Sequence, residues 1–430
     1  MLHQHRHTTV RNAHGALCQA NACSTVVGNG VHYISDQNDE AALLAVFQAL
    51  ANASEFCVVP QREHTNTHEH IALAGQAVTA STKTNSYRTA HIQCLTAGSS
   101  GSTKRVRRTQ ASWLASIESN QRQFELNTSD SYALLGKLSH SLPLYAAIEA
   151  AHIGADIHCL ASSHPNAQLR AINRLGTSVI YATPSQLKLL CRAGENSMLN
   201  PPAVRYVFSG GGKLDAQTRK SLLITFPGAL VFEFYGSAET SFITMSDKNT
   251  PIDSVGKLYS NVHIRFTDAN GNSAINEGEI WVKSPYLFEG YIGNDAHDAT
   301  WCDGYVSVGE IGTMDATGNL YLIGRKSRMT KVLDVKVFPE AIEAFLLTQS
   351  EVNNCAVVPA PDNKRGAILI AIIEAQYSKA LEHTLLLRLR KHFGETVAPR
   401  TLLFTEQLPL LESGKPDLHA ISNKVENECR

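Results

Sequence analysis

No two cysteines in this chain stand at CxxC spacing, although there are nine of them between Cys18 and Cys429. Without paired thiol ligands a structural zinc site is not expected, and an odd count scattered along the chain argues against a disulfide framework. Reduced thiols in a cytoplasmic protein fit best. Net charge is also missing. Lys plus Arg number 38 against 39 Asp plus Glu, a formal −1, so no global field recruits nucleic acid or an anionic membrane. Nor is there an apolar run of the ~18 to 20 residues that a membrane span requires. The opening MLHQHRHTTVRNAH carries no apolar core behind its basic residues and does not read as a secretory signal. Its His3, His5 and His7 could chelate a metal, but a polar, unstructured arm is the preferred reading. No internal repeat is found.

What is present is the composition of a folded, globular protein. Its 430 residues are 43% hydrophobic and 18% charged, enough for two or three domains with their own cores. Residues 39–60 read as a helix followed by a strand, and HIQCL (His91 to Leu95) as a strand running into TAGSSGSTK. From residue 131 onwards strands and helices alternate. YALLG and LPLYAAIEAAHIGA predict a helix ending at Gly154, ADIHCL a strand, and HPNAQLRAINRLG a helix between Pro165 and Gly176. TSVIYATP, RYVFSGGG and ALVFEFYG predict strands, with helices between them. Such alternation implies a mostly parallel sheet flanked by helices, with ligands at the carboxyl ends of the strands. After residue 255, VHIRFTDANG, GEIWVKS and GNLYLIG read as antiparallel strands around Asn and Gly turns. Beyond GRKSR (Gly324 to Arg328) a further α/β unit of about 100 residues is expected. RVRR (Arg105 to Arg108), with no aromatic residue interleaved, reads as a solvated face.

Three stretches could carry chemistry. TAGSSGSTK (Thr96 to Lys104) is not a Walker A sequence. It still has the parts of a phosphate cradle: glycines that let amides approach, Ser and Thr donors, and a lysine. As a Gly/Ser-rich stretch it could equally be a linker. FYGSAET sets an aromatic, Tyr235, and a tight Gly236 turn beside the carboxylate of Glu239 at a strand end. That pairing suits a stacked base and Mg²⁺, or else is a strand end with a surface acid. LESGKPD presents Lys415 on a turn, where most lysines are only surface charge.

In this order the pieces resemble the adenylate-forming superfamily of acyl-CoA synthetases, peptide-synthetase adenylation domains and luciferases. IYATPSQLKLL is similar to its Pro-containing strand–helix junction, and FSGGGKLD to the turn lining its adenine pocket. DGYVSVGEIGTMDATGNLYLIGR, KVFPEAIE and LESGKPD resemble its ribose-binding segment, the helix opening its small domain, and its lysine loop. The resemblance covers about residues 90–420. It implies a large α/β adenylating domain, residues 1–325, of mostly parallel sheets with flanking helices and an antiparallel region. A small mobile α/β domain, 326–430, would carry the catalytic lysine.

Carried over by position, the resemblance makes Lys415 the catalytic lysine and Glu239 the Mg²⁺ ligand. Thr96, Ser99, Ser100, Gly101, Ser102, Thr103 and Lys104 would hold the phosphates of ATP. Gly210, Gly211 and Gly212 would line the adenine pocket, where Tyr235, next to Gly236, stacks; Glu310 and Arg325 would serve the ribose. Several positions depart from the family pattern. Glu310 stands for an aspartate, Ala238 for a hydroxyl residue, Ser327 for the hinge Asp or Lys, and Asp334 for a glycine of the loop that lines the thiol's approach. Ser237 or Thr240 could supply the hydroxyl that Ala238 lacks. The region before the phosphate loop is short for the family.

By the same resemblance His140 and Ser141 would fall in the acyl pocket, where an amino-acid-activating domain has an Asp, so an aryl or fatty acid is expected. The reading is therefore an AMP-forming acid–thiol ligase that uses ATP and Mg²⁺. It would pass the acyl group of a small carboxylic acid to CoA or to the phosphopantetheine of a carrier protein. The alternatives are transfer of the acyl-adenylate to a non-thiol acceptor, or a degenerate protein that binds nucleotide or acyl ligand without chemistry.

Overall fold

Short apolar runs punctuated by Gly, Pro and Asn become the strands of this chain, and longer amphipathic runs opened by Thr, Asp or Pro become its helices. The structure, a computed structural model, describes residues 9–12, 25–28, 30–60, 90–97, 103–292, 299–307, 309–411 and 416–428. They pack as two units. The first takes Met1–Thr96, Thr103–His263 and Val282–Ala299; the second takes Ala97–Ser102, Ile264–Trp281 and Thr300–Arg430. Residues 264–281 and 300–325 group with the C-terminal segment.

The first unit opens with a short strand, Val10–Asn12 (β1), and then builds a separate sheet. Its strands are Thr25–Gly28 (β2), Val31–Ser35 (β3), Glu55–Val59 (β4), His91–Ala97 (β5) and Thr103–Thr109 (β6), with helix Asp39–Ala51 (α1) between β3 and β4. The strand Gly290–Ile292 adds to the outer edge of β6, antiparallel, with Tyr291 opposite Val106. Asn38 caps α1 by accepting from the Ala41 N–H at 2.8 Å, satisfying one of the helix's orphan donors.

Gln110–Phe124 (α2) leads into the main sheet. Its strands are Ser131–Leu134 (β7), Asp156–Cys159 (β8), Val179–Ala182 (β9), Tyr206–Ser209 (β10), Leu230–Ser237 (β11), Ser241–Ser246 (β12) and Gly256–Leu258 (β13). The order is β1-β8-β7-β9-β10-β11-β12-β13, parallel as far as β11 and antiparallel beyond it. Helices Ser141–Ile153 (α3), Pro165–Leu175 (α4), Pro184–Ser197 (α5) and Ala216–Thr225 (α6) supply the crossovers. The chain steps outward from β7 to β8 and then returns across β7 to β9, so the winding direction reverses between β7 and β9. Such reversal points are where doubly wound sheets bind ligands. One face of this sheet is closed by an apolar cluster that includes Leu160, Leu169, Ile172, Leu190, Val207, Leu222 and Phe226.

Two sequence expectations need correction. YALLG is a strand, β7, rather than part of the following helix, which starts at Ser141. RVRR is not a solvated face. It belongs to β6, whose alternation buries Lys104, Val106 and Arg108 and leaves Arg105 and Arg107 partly exposed.

In the second unit, Glu277–Glu279 pairs antiparallel with Ile311–Thr313 and Glu310–Met314 with Asn319–Arg325, as the Asn and Gly turns predict. A hairpin, Thr330–Val332 with Val335–Val337, leads to helix Pro339–Leu347 (α7). The strands Asn354–Asp362, Gly366–Glu374 and Thr401–Thr405 form a three-stranded sheet, with helices Lys379–Val397 (α8) and Leu418–Glu428 (α9). The core around Val357, Leu369, Ile373, Leu385 and Leu389 makes this an α/β unit in its own right. Among the described residues no helix is long and apolar enough to cross a membrane.

Candidate active site

At the carboxyl end of the parallel strands three sequence-predicted pieces meet. β10 ends at Ser209 and the chain turns through Gly210, Gly211 and Gly212. A Cβ on Gly210 would lie 2.4 Å from the ring of Phe234, so only glycine lets β10 leave the sheet beside β11. Gly211 has φ +87, and Gly211 and Gly212 lie beside Thr183 and Pro184 at the β9–α5 junction. That junction is locked by a capping box: Thr183 accepts from the Gln186 N–H, and Gln186 accepts from the Thr183 N–H at 3.0 Å. The ring of Tyr235 belongs to the next residue of β11, and its hydroxyl is buried with no partner among the described residues.

Gly236 marks a β-bulge between β11 and β12, where a Cβ would come within 1.8 Å of the Ser241 carbonyl oxygen. The turn after it is held reciprocally: the Ser237 N–H donates to Thr240 Oγ1 at 3.2 Å and the Thr240 N–H to Ser237 Oγ at 3.3 Å. Thr240 is fully buried, so of the two hydroxyls considered beside Ala238 only that of Ser237 is partly exposed.

Glu239, on this turn, is 8% exposed. Tyr291 donates its hydroxyl to Glu239 Oε1 at 2.9 Å, and the Phe288 N–H donates to the Glu239 carbonyl at 2.8 Å. Lys104 is buried on β6 with Nζ 5.7 Å from the centroid of the Tyr291 ring. Lys104 and Glu239, far apart in sequence, thereby meet the same tyrosine, one over its ring and the other at its hydroxyl. Thr96 lies partly buried at the end of β5 and Thr103 opens β6, the neighbouring strand, while Ser99, Ser100, Gly101 and Ser102 lie outside the described residues. His140 and Ser141 begin α3, where His140 bridges in parallel to Leu95, the residue before Thr96.

Arg108, two residues along the same face of β6 from Val106, is 3% exposed. It lies 4.9 Å over the Trp113 ring and donates to Ser112 Oγ and Ser112 O at 3.3 Å. Burial pulls its pKa down to about 10 and pushes that of the neighbouring Cys94 up to about 12. A second buried polar group centres on α3. Glu149 of α3 accepts from Asn120 (2.9 Å), Tyr132 (3.1 Å) and Tyr181 (2.8 Å), and Tyr259 donates to Asn120 Oδ1 at 2.6 Å. Burial raises the Glu149 pKa to about 7, against the pull of these hydrogen bonds.

The second unit holds the other candidates. Glu310 and Arg325 are directly paired across the ladder, with Arg325 Nη2 donating to Glu310 Oε1 at 3.2 Å. Gly309 precedes them with φ +77. Ser327 sits in the turn after this strand, next to Arg328, which donates to Glu343 at 2.9 and 2.7 Å and to the Val357 carbonyl at 3.0 Å. Asp334 and Leu333 form the tip of the short hairpin, with Leu333 at φ 55. Lys415 lies outside the described residues. The chain on either side of its loop is closed by an antiparallel bridge between Leu410 and Pro416 and by an Asp417 N–H to Pro409 carbonyl bond at 2.9 Å.

Residues 16–292 match the family described as AMP-binding enzyme, and 341–415 match the AMP-binding enzyme C-terminal domain. The chain belongs to the AMP-binding enzyme family. An uncharacterized acyl-CoA ligase of Bacillus subtilis, YhfT, is 30% identical over 325 residues, covering 74% of this chain and 65% of that protein. The chain thus spans just under two thirds of that relative's length. Among solved structures, o-succinylbenzoate coenzyme A synthetase of Bacillus subtilis with ATP and magnesium ion superposes with TM-score 0.76 at 20% identity, over 92% of this chain and 90% of that one. The amide bond synthetase McbA of Marinactinospora thermotolerans gives TM-score 0.72 at 20% identity, over 90% and 83%. These likenesses establish the mixed α/β fold with its small C-terminal α/β part.

An AMP-binding enzyme implies a nucleotide and its Mg²⁺, and the donor set suits that ion. Among the described residues no three His, Cys, Asp or Glu side chains are grouped to hold a metal. Glu239 offers one carboxylate, whose Oε2 has no hydrogen-bond partner among the described residues. A single carboxylate supplemented by phosphate oxygens is how Mg²⁺ is usually held, rather than in an all-protein cage.

Sequence reasoning missed Tyr291, Arg108, Arg328 and the Glu149 network. The signal for Tyr291 lay in FEGYIG, where Gly290 precedes an apolar pair. Nothing in the sequence tied it to a glutamate 52 positions earlier.

Proposed function

We propose that the chain is an ATP-dependent carboxylate ligase. It activates an organic acid as its acyl-adenylate and transfers the acyl group to the thiol of CoA or of a carrier-protein phosphopantetheine. The observation that carries this reading is Glu239, which accepts from the Tyr291 hydroxyl at 2.9 Å while the buried Lys104 lies over the same ring, in a chain of the AMP-binding enzyme family. Lys104 and the hydroxyls of the loop from Thr96 to Thr103 bind the phosphates, and Gly210, Gly211, Gly212, Tyr235 and Gly236 shape the adenine site. The Glu310–Arg325 pair serves the ribose: a carboxylate oriented by a guanidinium accepts from sugar hydroxyls. Glu239 holds Mg²⁺, whose charge offsets that of the phosphates when bound. As the acid's carboxylate oxygen attacks the α-phosphorus and pyrophosphate leaves, Lys415 stabilises the negative charge at the α-phosphate. His140 and Ser141 border the acyl group, and the absence of an acid there favours an aryl or fatty acid over an amino acid. The protein is taken to work in the cytoplasm, where ATP and CoA are at hand, with residues 1–325 adenylating and 326–430, hinged at Ser327, carrying the lysine.

A second reading has its own observation. The hairpin tip is Leu333-Asp334, with an exposed leucine held at φ 55 and a carboxylate where the family pattern has glycine. This tip favours transfer to a non-thiol acceptor. The test is pyrophosphate release with ATP, Mg²⁺ and a panel of acids, followed by acyl-adenylate accumulation with and without CoA or holo-carrier protein. Acid-dependent release that is lost in Lys415→Ala is expected. ATP binding with no release on any acid would leave only a nucleotide-binding protein. Accumulation undiminished by either thiol would select the second reading.

A further inference from the structure

A guanidinium taken out of water calls for an anion, and Arg108 meets none among the described residues. It is 3% exposed, on the face of β6 that its alternation turns inward. Of the five donors an arginine carries, Nε and one N–H of Nη2 go to the neutral Ser112, and the others have no acceptor among the described residues. The buried acids of this unit are engaged elsewhere: Glu149 with Asn120, Tyr132 and Tyr181, Glu233 with Arg219, and Glu239 with Tyr291. Burying a charge without a counter-ion is costly, and a ring beneath it offsets only part of that cost.

Two further donors beside Arg108 are in the same position. Trp113, whose ring lies 4.9 Å under the guanidinium, is 2% exposed, and its Nε1 is buried with no partner among the described residues. The same holds for Nε2 of Gln110, which is 9% exposed. Gln110 and Trp113 stand three apart in the first turn of α2 and so share a face. The cluster offers donors and no acceptor, which is the complement of a carboxylate.

Its place in the fold says which carboxylate. Trp113 stacks on Tyr145 with centroids 5.8 Å apart. Tyr145 follows Ser141 by one turn on the same face of α3, about 6 Å further along the axis. His140 and Ser141 border the acyl group, so Arg108 and Trp113 lie about a turn deeper than the pocket's mouth. Along β6, Arg108 is about 13 Å from Lys104, too far for one phosphate group to bridge them.

We propose that Arg108, with Trp113 Nε1 beside it, receives a carboxylate at the far end of the acid, so that the substrate is a dicarboxylic acid activated at its other carboxyl. An aryl or alkyl body joins the two groups. This inference rests on the ATP-dependent ligase reading and names the substrate class of that site.

The experiment is pyrophosphate release with ATP and Mg²⁺ on matched acids: succinate, glutarate, adipate and phthalate against butyrate, valerate, hexanoate and benzoate. It is run on the wild type, Arg108→Leu and Arg108→Lys, with melting temperatures alongside. The wild type is expected to favour the diacid of at least one pair in kcat/KM. Arg108→Leu should lower that diacid-to-monoacid ratio about a hundredfold, chiefly through KM, because a desolvated carboxylate loses its charged partner. Arg108→Lys, which keeps the charge without the planar fork, should fall between the two. A merely structural arginine would move both acids of a pair together and leave the ratio unchanged, which overturns the inference. A wild type that releases pyrophosphate with monoacids as well as with every matched diacid also overturns it and leaves the ligase reading standing; this arm decides even where Arg108→Leu does not fold. A melting temperature raised by free chloride or acetate, with no diacid preference, makes the cluster a structural anion site and overturns the inference as well. No release with these or any other acid sinks the ligase reading, and this inference falls with it.

Discussion

The buried carboxyl of Glu149 makes the stability of the first unit depend on pH in a direction that can be worked out. Its pKa in the folded protein is about 7, against 4.5 for the free side chain, because burial penalises the charged form. The folded protein therefore holds this proton over a range in which the unfolded chain has lost it. Stability is greatest below the unfolded value and falls as pH rises towards the folded value; above that, the full penalty of a buried anion is present. For this shift the linkage relation gives a loss of roughly 2–3 kcal/mol between about pH 5 and about pH 8. Glu149→Gln removes the titration and keeps a carbonyl to accept from Asn120 Nδ2, while the hydroxyls of Tyr132 and Tyr181 can turn to accept from the new amide. The assay is denaturant unfolding of both proteins across that pH range, followed by tyrosine and tryptophan fluorescence. The wild-type curve should fall relative to the variant's as pH rises, with the two converging at the acid end. Parallel curves, or a gap that widens toward acid, would refute the argument and mean that the tyrosine hydroxyls compensate the anion fully.

Two further substitutions probe other elements. Gly236→Ala drives a methyl into the Ser241 carbonyl and must force β11 and β12 apart at the bulge. It should cost several kcal/mol, on the order of the largest single-site effects, and be seen as a lower unfolding midpoint; a midpoint within error of the wild type would show that the bulge relaxes freely. Arg328→Leu leaves Glu343, and Glu340 beside it, without their cation, a loss of about 3 kcal/mol for a largely buried pair. Calorimetry should show the transition of the second unit moving down, and an unchanged thermogram would contradict the pairing.

The sequence made the strand ends legible because glycine is hard to replace there. The SGGG turn and the FYG bulge sit where a Cβ would strike Phe234 or the Ser241 carbonyl, and composition reports such places directly. β7 was misread for the opposite reason. Its four residues are buried on both sides and carry no alternation, so the run has no period to distinguish it from a helix. RVRR misled because charge was read without register: once the stretch is a strand, Arg108 must face inward, where Trp113 receives it. The partners of Glu239 and of Arg328 were invisible because each pair is made by packing between segments, 52 and 15 residues apart. Glu149 looked like one acid in an apolar helix. Only the fold shows that three strands and helices send it hydroxyl and amide donors.

β6 carries Lys104, Arg105, Arg107 and Arg108, and only its register decides which of these four charges go inside. A slip of one residue would bury Arg105 and Arg107, expel Lys104 and Arg108, and leave Tyr291 facing the wrong partner. The number of residues in the Ser- and Gly-rich segment between β5 and β6 therefore matters to the site as much as their identity does.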